Sequence, residues 1–127
     1  MRVIFNGELK SINDVPASSS GWLEGEGIFE TIKSVGNKPF SLSRHIARAQ
    51  HSALALGISM PSSDQISQGV AHLFAAVPQG IGMLRISFDK HGNWLAVHLP
   101  YKEQEKSCDV RVHPTAVTGD VYKRFPY

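Results

Sequence analysis

Two helix signals follow one another in this chain with no strand between them, and that succession limits the fold more than any other feature. Leu42, Ile46, Ala49, Ala53 and Leu56 step by three or four residues, with Ser41 or Ser43 placed to cap the start and Gly57 to stop the run in a left-handed conformation. Ser62 and Gln65 then stand at capping-box spacing after Pro61, and Ile66, Val70, Leu73, Phe74 and Val77 form a second stripe that ends before Pro78. A parallel sheet needs strands and helices to alternate. Strands, two helices in a row and more strands therefore predict an α+β fold with a mainly antiparallel sheet.

Hairpin signals agree. Asn6-Gly7 separates Val3-Ile4-Phe5 from Glu8-Leu9-Lys10 and supplies the two positive-φ positions of a type I′ turn. Ile28 to Val35 alternates as a strand, turns at Gly36-Asn37 and returns along Lys38-Pro39-Phe40. Met83 to Phe88 and Trp94 to Leu99 read as a second pair around His91-Gly92-Asn93, and Cys108 to Val112 repeats the strand pattern. Asn13 to Gly21, rich in serine and without an apolar period, reads as a connecting loop, and Pro114 to Asp120 as an excursion into a further extended segment at Val121-Tyr122-Lys123.

Composition excludes more than it identifies. At 127 residues one domain is expected, and a formal charge of +2 is too small to indicate a nucleic-acid or anionic-membrane partner. No apolar run reaches bilayer length, and the turn at Asn6-Gly7 interrupts any signal-peptide core, so a soluble cytoplasmic protein is expected. Cys108 is the single cysteine and reads as a buried or half-buried thiol. The six histidines include no pair at metal-ligand spacing, so no metal is expected. Gly80-Ile81-Gly82 does not lead into a helix, which removes a nucleotide-loop reading. By these arguments alone the function stops at a small α+β domain.

An ordered series of short motifs goes further. Gly25-Glu26-Gly27 enters Ile28-Phe29-Glu30-Thr31-Ile32-Lys33; Pro39-Phe40-Ser41-Leu42, His45-Ile46-Ala47-Arg48, Ser52 and Leu56-Gly57-Ile58 follow in order. Leu84-Arg85-Ile86-Ser87 comes after the two helices, and Tyr122-Lys123 with Tyr127 comes last. The series resembles the signature of the class-IV pyridoxal-phosphate (PLP) enzymes of fold-type IV, the aminotransferases and aminodeoxychorismate lyases, and spans nearly the whole chain. The resemblance implies that residues 1–113 form that family's small N-terminal domain. Residues 114–127 then form the interdomain connection and first strand of a second domain otherwise absent from this chain.

The resemblance also implies roles. Lys123 is placed as the catalytic lysine, whose amine joins the cofactor aldehyde and then moves the proton at the substrate α-carbon. Arg48 is placed to meet the cofactor phosphate through its guanidinium fork, with His45 a packed structural histidine on the same helix side. Tyr127 is placed near the cofactor phenolate. Arg85 is expected to bind a substrate carboxylate if its strand face lines the site, and to be an ordinary exposed arginine if it does not. Glu26, Glu30 and Thr31 are expected to stabilise the turn and strand. Two positions depart from the family pattern: Glu24, near the substrate, where relatives carry an aromatic residue, and Arg124, where a hydroxyl residue or histidine is common. The implied activity is transamination of an amino acid or elimination from aminodeoxychorismate, the helix spelled Ser-Arg-His-Ile-Ala-Arg leaning toward the lyases. A homodimer is expected, with no nucleic-acid or membrane partner. The rival reading is a non-catalytic truncated domain or pseudoenzyme serving as an interaction module.

Overall fold

The computed structural model describes residues 1–16, 27–104 and 106–112. Within them lie strands β1 (Arg2–Phe5), β2 (Glu8–Ser11), β3 (Gly27–Val35) and β4 (Lys38–Pro39), helices α1 (Leu42–Leu56) and α2 (Ser63–Ala76), and strands β5 (Ile81–Asp89) and β6 (Trp94–Pro100). A short 3-10 turn, Ile12–Asp14, follows β2. Six strands form one sheet in the order β2-β1-β6-β5-β3-β4, every pairing antiparallel. The α+β expectation of a mainly antiparallel sheet with two consecutive helices is met.

Local chemistry explains most element ends. Asn6 (φ 50°) and Gly7 (φ 89°) join β1 to β2 with Phe5 opposite Glu8, the backbone a type I′ turn demands. Gly36 (φ 54°) and Asn37 (φ 57°) do the same between β3 and β4. Asn37 Oδ1 also accepts from Gln79 N at 2.9 Å, tying this turn to the connection after α2. The Ser62–Gln65 capping box closes in both directions, at 2.9 and 3.2 Å, and Gly57 (φ 68°) ends α1. Asp89 Oδ1 takes the amides of His91 (2.8 Å) and Asn93 (2.9 Å), which fixes the β5–β6 turn.

Four expectations are corrected. Ser41 occupies the α1 N-cap position in a left-handed conformation (φ 52°) and makes no side-chain cap bond. Its carbonyl instead accepts from Arg44 N and His45 N. Cys108 to Val112 forms no strand, because no described segment offers a ladder to this run, and Cys108 is exposed rather than buried. Leu56, at the end of the α1 stripe, is 45% exposed.

Both helices cover one sheet face, α1 over β3 and α2 over β1, β2 and β6. The core between them combines Ile4, Ile32, Leu84, Ile86, Phe88 and Ala96 of the sheet with Ile46, Ala49, Ile66, Val70, Leu73 and Phe74 of the helices. Trp94 lies so close under α2 that a Cβ added at Gly69 would stand 2.6 Å from its ring.

His98 is a titratable group inside the core, 1% exposed and stacked on Phe74 with ring centroids 4.0 Å apart. Its Nδ1 lies 2.8 Å from the Val77 carbonyl, which can only accept, so Nδ1 carries the proton and Nε2 accepts from the Ser34 hydroxyl at 2.7 Å. Burial pushes the imidazole below its ordinary value of 6.5, outweighing the carbonyl that favours its charged form. The unfolded chain thus takes up this proton first as pH falls. Stability from His98 is fully present above about pH 6.5 and declines as pH drops from there through the lower folded value. The slope expected is at most about 1.4 kcal/mol per pH unit. Urea midpoints compared at pH 7.5 and 5.5 should fall more for the native chain than for His98→Gln; equal falls would contradict this.

Candidate active site

β3 alternates its side chains between two environments, and both matter. On the helix-covered face Glu30 sits with Ile32 and Ser34, a carboxylate only 6% exposed among core positions. A buried charge needs partners, and α1 provides two from one side because His45 and Arg48 are three residues apart. Arg48 Nε donates to Glu30 Oε1 at 2.9 Å and Nη2 donates to Oε2, a two-pronged fork; His45 Nδ1 donates to Oε2 at 2.7 Å. Burial would raise the Glu30 carboxyl, but the hydrogen bonds from Arg48 and His45 prevail and hold it below the ordinary carboxylate value. Glu30 in turn raises the Arg48 guanidinium.

This fork uses one edge of the guanidinium. The Nη1 donors remain on the other edge, and the side chain is 55% exposed. Arg48, Arg44, His45, Ser41 and Phe40 surround an open depression of about 310 Å³. Such a depression, cationic and backed by a buried carboxylate that fixes the guanidinium plane, suits an anionic group such as a phosphate.

The uncovered face of the same strand carries Phe29, Thr31 and Lys33, registered with Ser87, Arg85 and Met83 of β5. Arg85 is exposed on this face, and its guanidinium carbon lies 4.0 Å above the Phe29 ring centroid. A cavity of about 520 Å³ opens beside it, lined by Thr31, Lys33, Gly82, Met83, Tyr101 and Glu103 among others. Lys33 Nζ pairs with Glu103 Oε1 there.

Arg48 and Arg85 thus stand on opposite faces of the sheet. Glu30 opposes Ile86 on the covered side, and Thr31 opposes Arg85 on the open side. Among the described residues, β3 pairs with β4 only at Ser34 and Val35, and Lys33 O accepts from Phe40 N, so Gly27 to Ile32 lie along a sheet edge. Lys123, Tyr127 and Glu24 lie outside the described residues, as does Glu26. Sequence reasoning gave Glu30 only a stabilising part and missed Lys33 and Glu103. The parity of β3 was the available signal: it sets Glu30 with the inward residues and Lys33 with Phe29 and Thr31.

Comparison with known proteins agrees with this fold. A D-alanine aminotransferase from Bacillus licheniformis is 35% identical over 66 residues, covering 50% of this chain and 23% of its own. The branched-chain aminotransferase of the archaeon Thermoproteus uzoniensis superposes with a TM-score of 0.70 over 81% of this chain and 41% of its own, at 21% identity, a likeness of fold. A putative 4-amino-4-deoxychorismate lyase superposes with a TM-score of 0.63 at 28% identity, over 75% of this chain and 41% of its own. The chain therefore spans about two fifths of the length of these solved structures and less of the D-alanine enzyme. The amino-transferase class IV family matches residues 27–118, which takes in the β3 signature, both helices and the β5–β6 hairpin, and the chain belongs to that family.

Proposed function

We propose that residues 1–113 form the small domain of a PLP-dependent class-IV enzyme, with residues 114–127 leading into a second domain that completes the site. The reaction is transamination of an amino acid or elimination from aminodeoxychorismate. The observation that carries this reading is the Glu30–Arg48 fork, which fixes a guanidinium plane and leaves its other edge toward an open cationic depression. PLP, when bound, supplies the electron sink that makes the substrate α-proton removable.

The chain's own residues have distinct tasks in this proposal. Arg48 holds the phosphate, Glu30 and His45 hold Arg48, and Tyr127 steadies the phenolate side. Lys123 anchors the cofactor and moves the proton at the α-carbon. Arg85 binds a substrate carboxylate: stacking on Phe29 occupies the face of its guanidinium and leaves the in-plane donors for the ligand. Glu24 contributes to the substrate side. A homodimer is part of the same proposal, supported by the exposed Phe29, Val35 and Ile81, which form apolar surface of the kind that seeks a partner. So is a cytoplasmic location with neither nucleic acid nor membrane as partner. No described helix is long and apolar enough to cross a bilayer.

The test compares two arginines one turn apart on α1. In the complete protein, Arg48→Ala should weaken PLP binding by about 1.5 to 3 kcal/mol, the worth of a charge-assisted hydrogen bond, and Arg44→Ala by much less. Equilibrium dialysis of PLP against each variant, with circular dichroism to verify folding, reads the difference. Equal dissociation constants for the two would overturn the assignment. PLP retention no better than that of an unrelated protein would favour a non-catalytic module.

A further inference from the structure

Two turns of the fold meet at Asn6. Its backbone N donates to the Trp94 carbonyl at 3.0 Å, its side-chain Oδ1 accepts from Trp94 N at 2.9 Å, and its Nδ2 donates to Asn93 Oδ1 at 2.9 Å. The orientation of that carboxamide is dictated from the core outward. The buried Asp89 carboxylate takes Asn93 Nδ2 at 3.0 Å, so Asn93 turns Oδ1 toward Asn6 and Asn6 must offer Nδ2 in return. The β1–β2 turn is thereby fastened to the β5–β6 turn.

Of the four asparagines in the chain, Asn6 alone precedes a glycine. Glycine has no Cβ to screen its nitrogen, so Gly7 N is open to the neighbouring carboxamide. Gly7 is exposed, nothing stands within 4 Å of where a Cβ would lie, and its N donates to no group among the described residues. Restraint comes from the sheet. β2 and β6 flank β1 on opposite sides, and the carboxamide is bonded toward β6 while Gly7 carries the chain toward β2. Joining Cγ to Gly7 N requires close alignment of the two atoms and releases Nδ2, so it breaks both side-chain hydrogen bonds.

We infer that Asn6 is a deamidation site gated by the docking of the β1–β2 ribbon on β6. When the ribbon lifts, Gly7 N gives up its proton and bonds to Asn6 Cγ. The Cγ–Nδ2 bond breaks, and Nδ2 leaves as ammonia with that proton, forming a cyclic imide. Water then opens the ring at one or other carbonyl to give aspartate or isoaspartate; no electrons are transferred. The product carries a negative charge where a donor stood. It faces Asn93 Oδ1, and Asn93 cannot turn Nδ2 toward it without abandoning buried Asp89. The ribbon then redocks poorly, so one excursion of β1 leaves a lasting change. This holds whatever the domain's ligand.

Peptide mapping of the complete protein aged at one mildly alkaline pH, beside a synthetic peptide of residues 2–11, reads aspartate and isoaspartate at position 6. Asn6 should react at least about tenfold more slowly in the folded protein than in the peptide, because reaction proceeds only through the open fraction. Asn93→Ala, its fold verified by circular dichroism, should react severalfold faster than the native protein. Urea below the unfolding midpoint should also speed the reaction while hydrogen exchange at Leu84 and Ile86 in the core stays unchanged. The deamidated form, separated by its charge, should exchange the amides of β1 about tenfold faster than the native form. Equal rates in protein and peptide, no acceleration in Asn93→Ala, urea acceleration that only tracks exchange at Leu84, or unaltered β1 exchange after deamidation would each overturn the inference.

Discussion

Replacing Lys123 with alanine in the complete protein is expected to abolish covalent PLP capture and reduce turnover by about 10² to 10⁴-fold, the usual contribution of a group that moves a proton in the transition state. The expectation comes from the place of Tyr122-Lys123, with Tyr127 downstream, in the family's motif order. Five other lysines are poorer candidates for physical reasons. Lys33 is paired with Glu103, and Lys10 lies 2.9 Å from Glu8. Lys38 belongs to the short return strand β4, while Lys102 and Lys106 are exposed in the segment after β6. Capture also needs the remainder of the pocket, since an amine and an aldehyde in open water separate readily unless phosphate and ring are held beside the lysine. The measurement is borohydride reduction with PLP present, proteolysis, and location of the phosphopyridoxyl label by mass. A dominant label on Lys123 that vanishes in the variant is the expected result; a dominant label on another lysine would refute it.

The largest effect on stability is expected at Trp94. The ring is 4% exposed, stacks near Phe88 at 6.5 Å between centroids, and fills the space that the missing side chain of Gly69 leaves on α2. Truncating it to alanine should destabilise the domain by about 3 to 5 kcal/mol, through lost transfer energy and the cavity left behind. Gly69→Ala alone should also destabilise. The helix gains about 1 kcal/mol from alanine, but the added Cβ would meet the ring at 2.6 Å and Ile4 at 3.3 Å. Overpacking of that kind typically costs about 1 to 3 kcal/mol. In the Trp94→Ala background the obstruction is gone, so Gly69→Ala should then stabilise. Chemical denaturation of the four proteins gives this sign reversal directly, and additive effects would show that ring and glycine do not share the space.

What could be read from the sequence was local. The Asn6-Gly7 turn, the capping box at Ser62 and Gln65, and the parity of β3 each follow from a few neighbouring residues whose conformational preferences agree. What could not be read was set by partners distant in the chain or by backbone closure. Lys33 and Glu103 are 70 positions apart, and nothing near either one announces the other. Ser41 was a reasonable side-chain cap until the return of β4 intervenes: Phe40 N donates to Lys33 O at 2.8 Å, and the next residue turns left-handed into α1. The run from Cys108 to Val112 has strand composition, but composition cannot supply a neighbour to pair with. Glu30 is the intermediate case. Its inward parity marked it as a charge in need of partners, and the i to i+3 spacing of His45 and Arg48 marked a helix face able to provide them, yet only the packing of α1 on β3 joined the two.

The position of β1 in the sheet bears on how the molecule is made. Ile4 pairs with Ala96 and Phe5 with Leu95, so β1, which precedes every other described strand, completes its pairing only after β6, the last of them, has followed it. Until then the β1–β2 ribbon is a lone hairpin, marginal in water, and its Val3 and Ile4, fully buried in the finished domain, have no sheet to join. Closure across that span is an entropic burden of the kind that slows non-local topologies. Nascent chains of this protein therefore pass through a long interval of synthesis in which the apolar β1–β2 ribbon is available to chaperones or to a neighbouring chain, and alterations in β1 act on assembly of the β5–β6 hairpin.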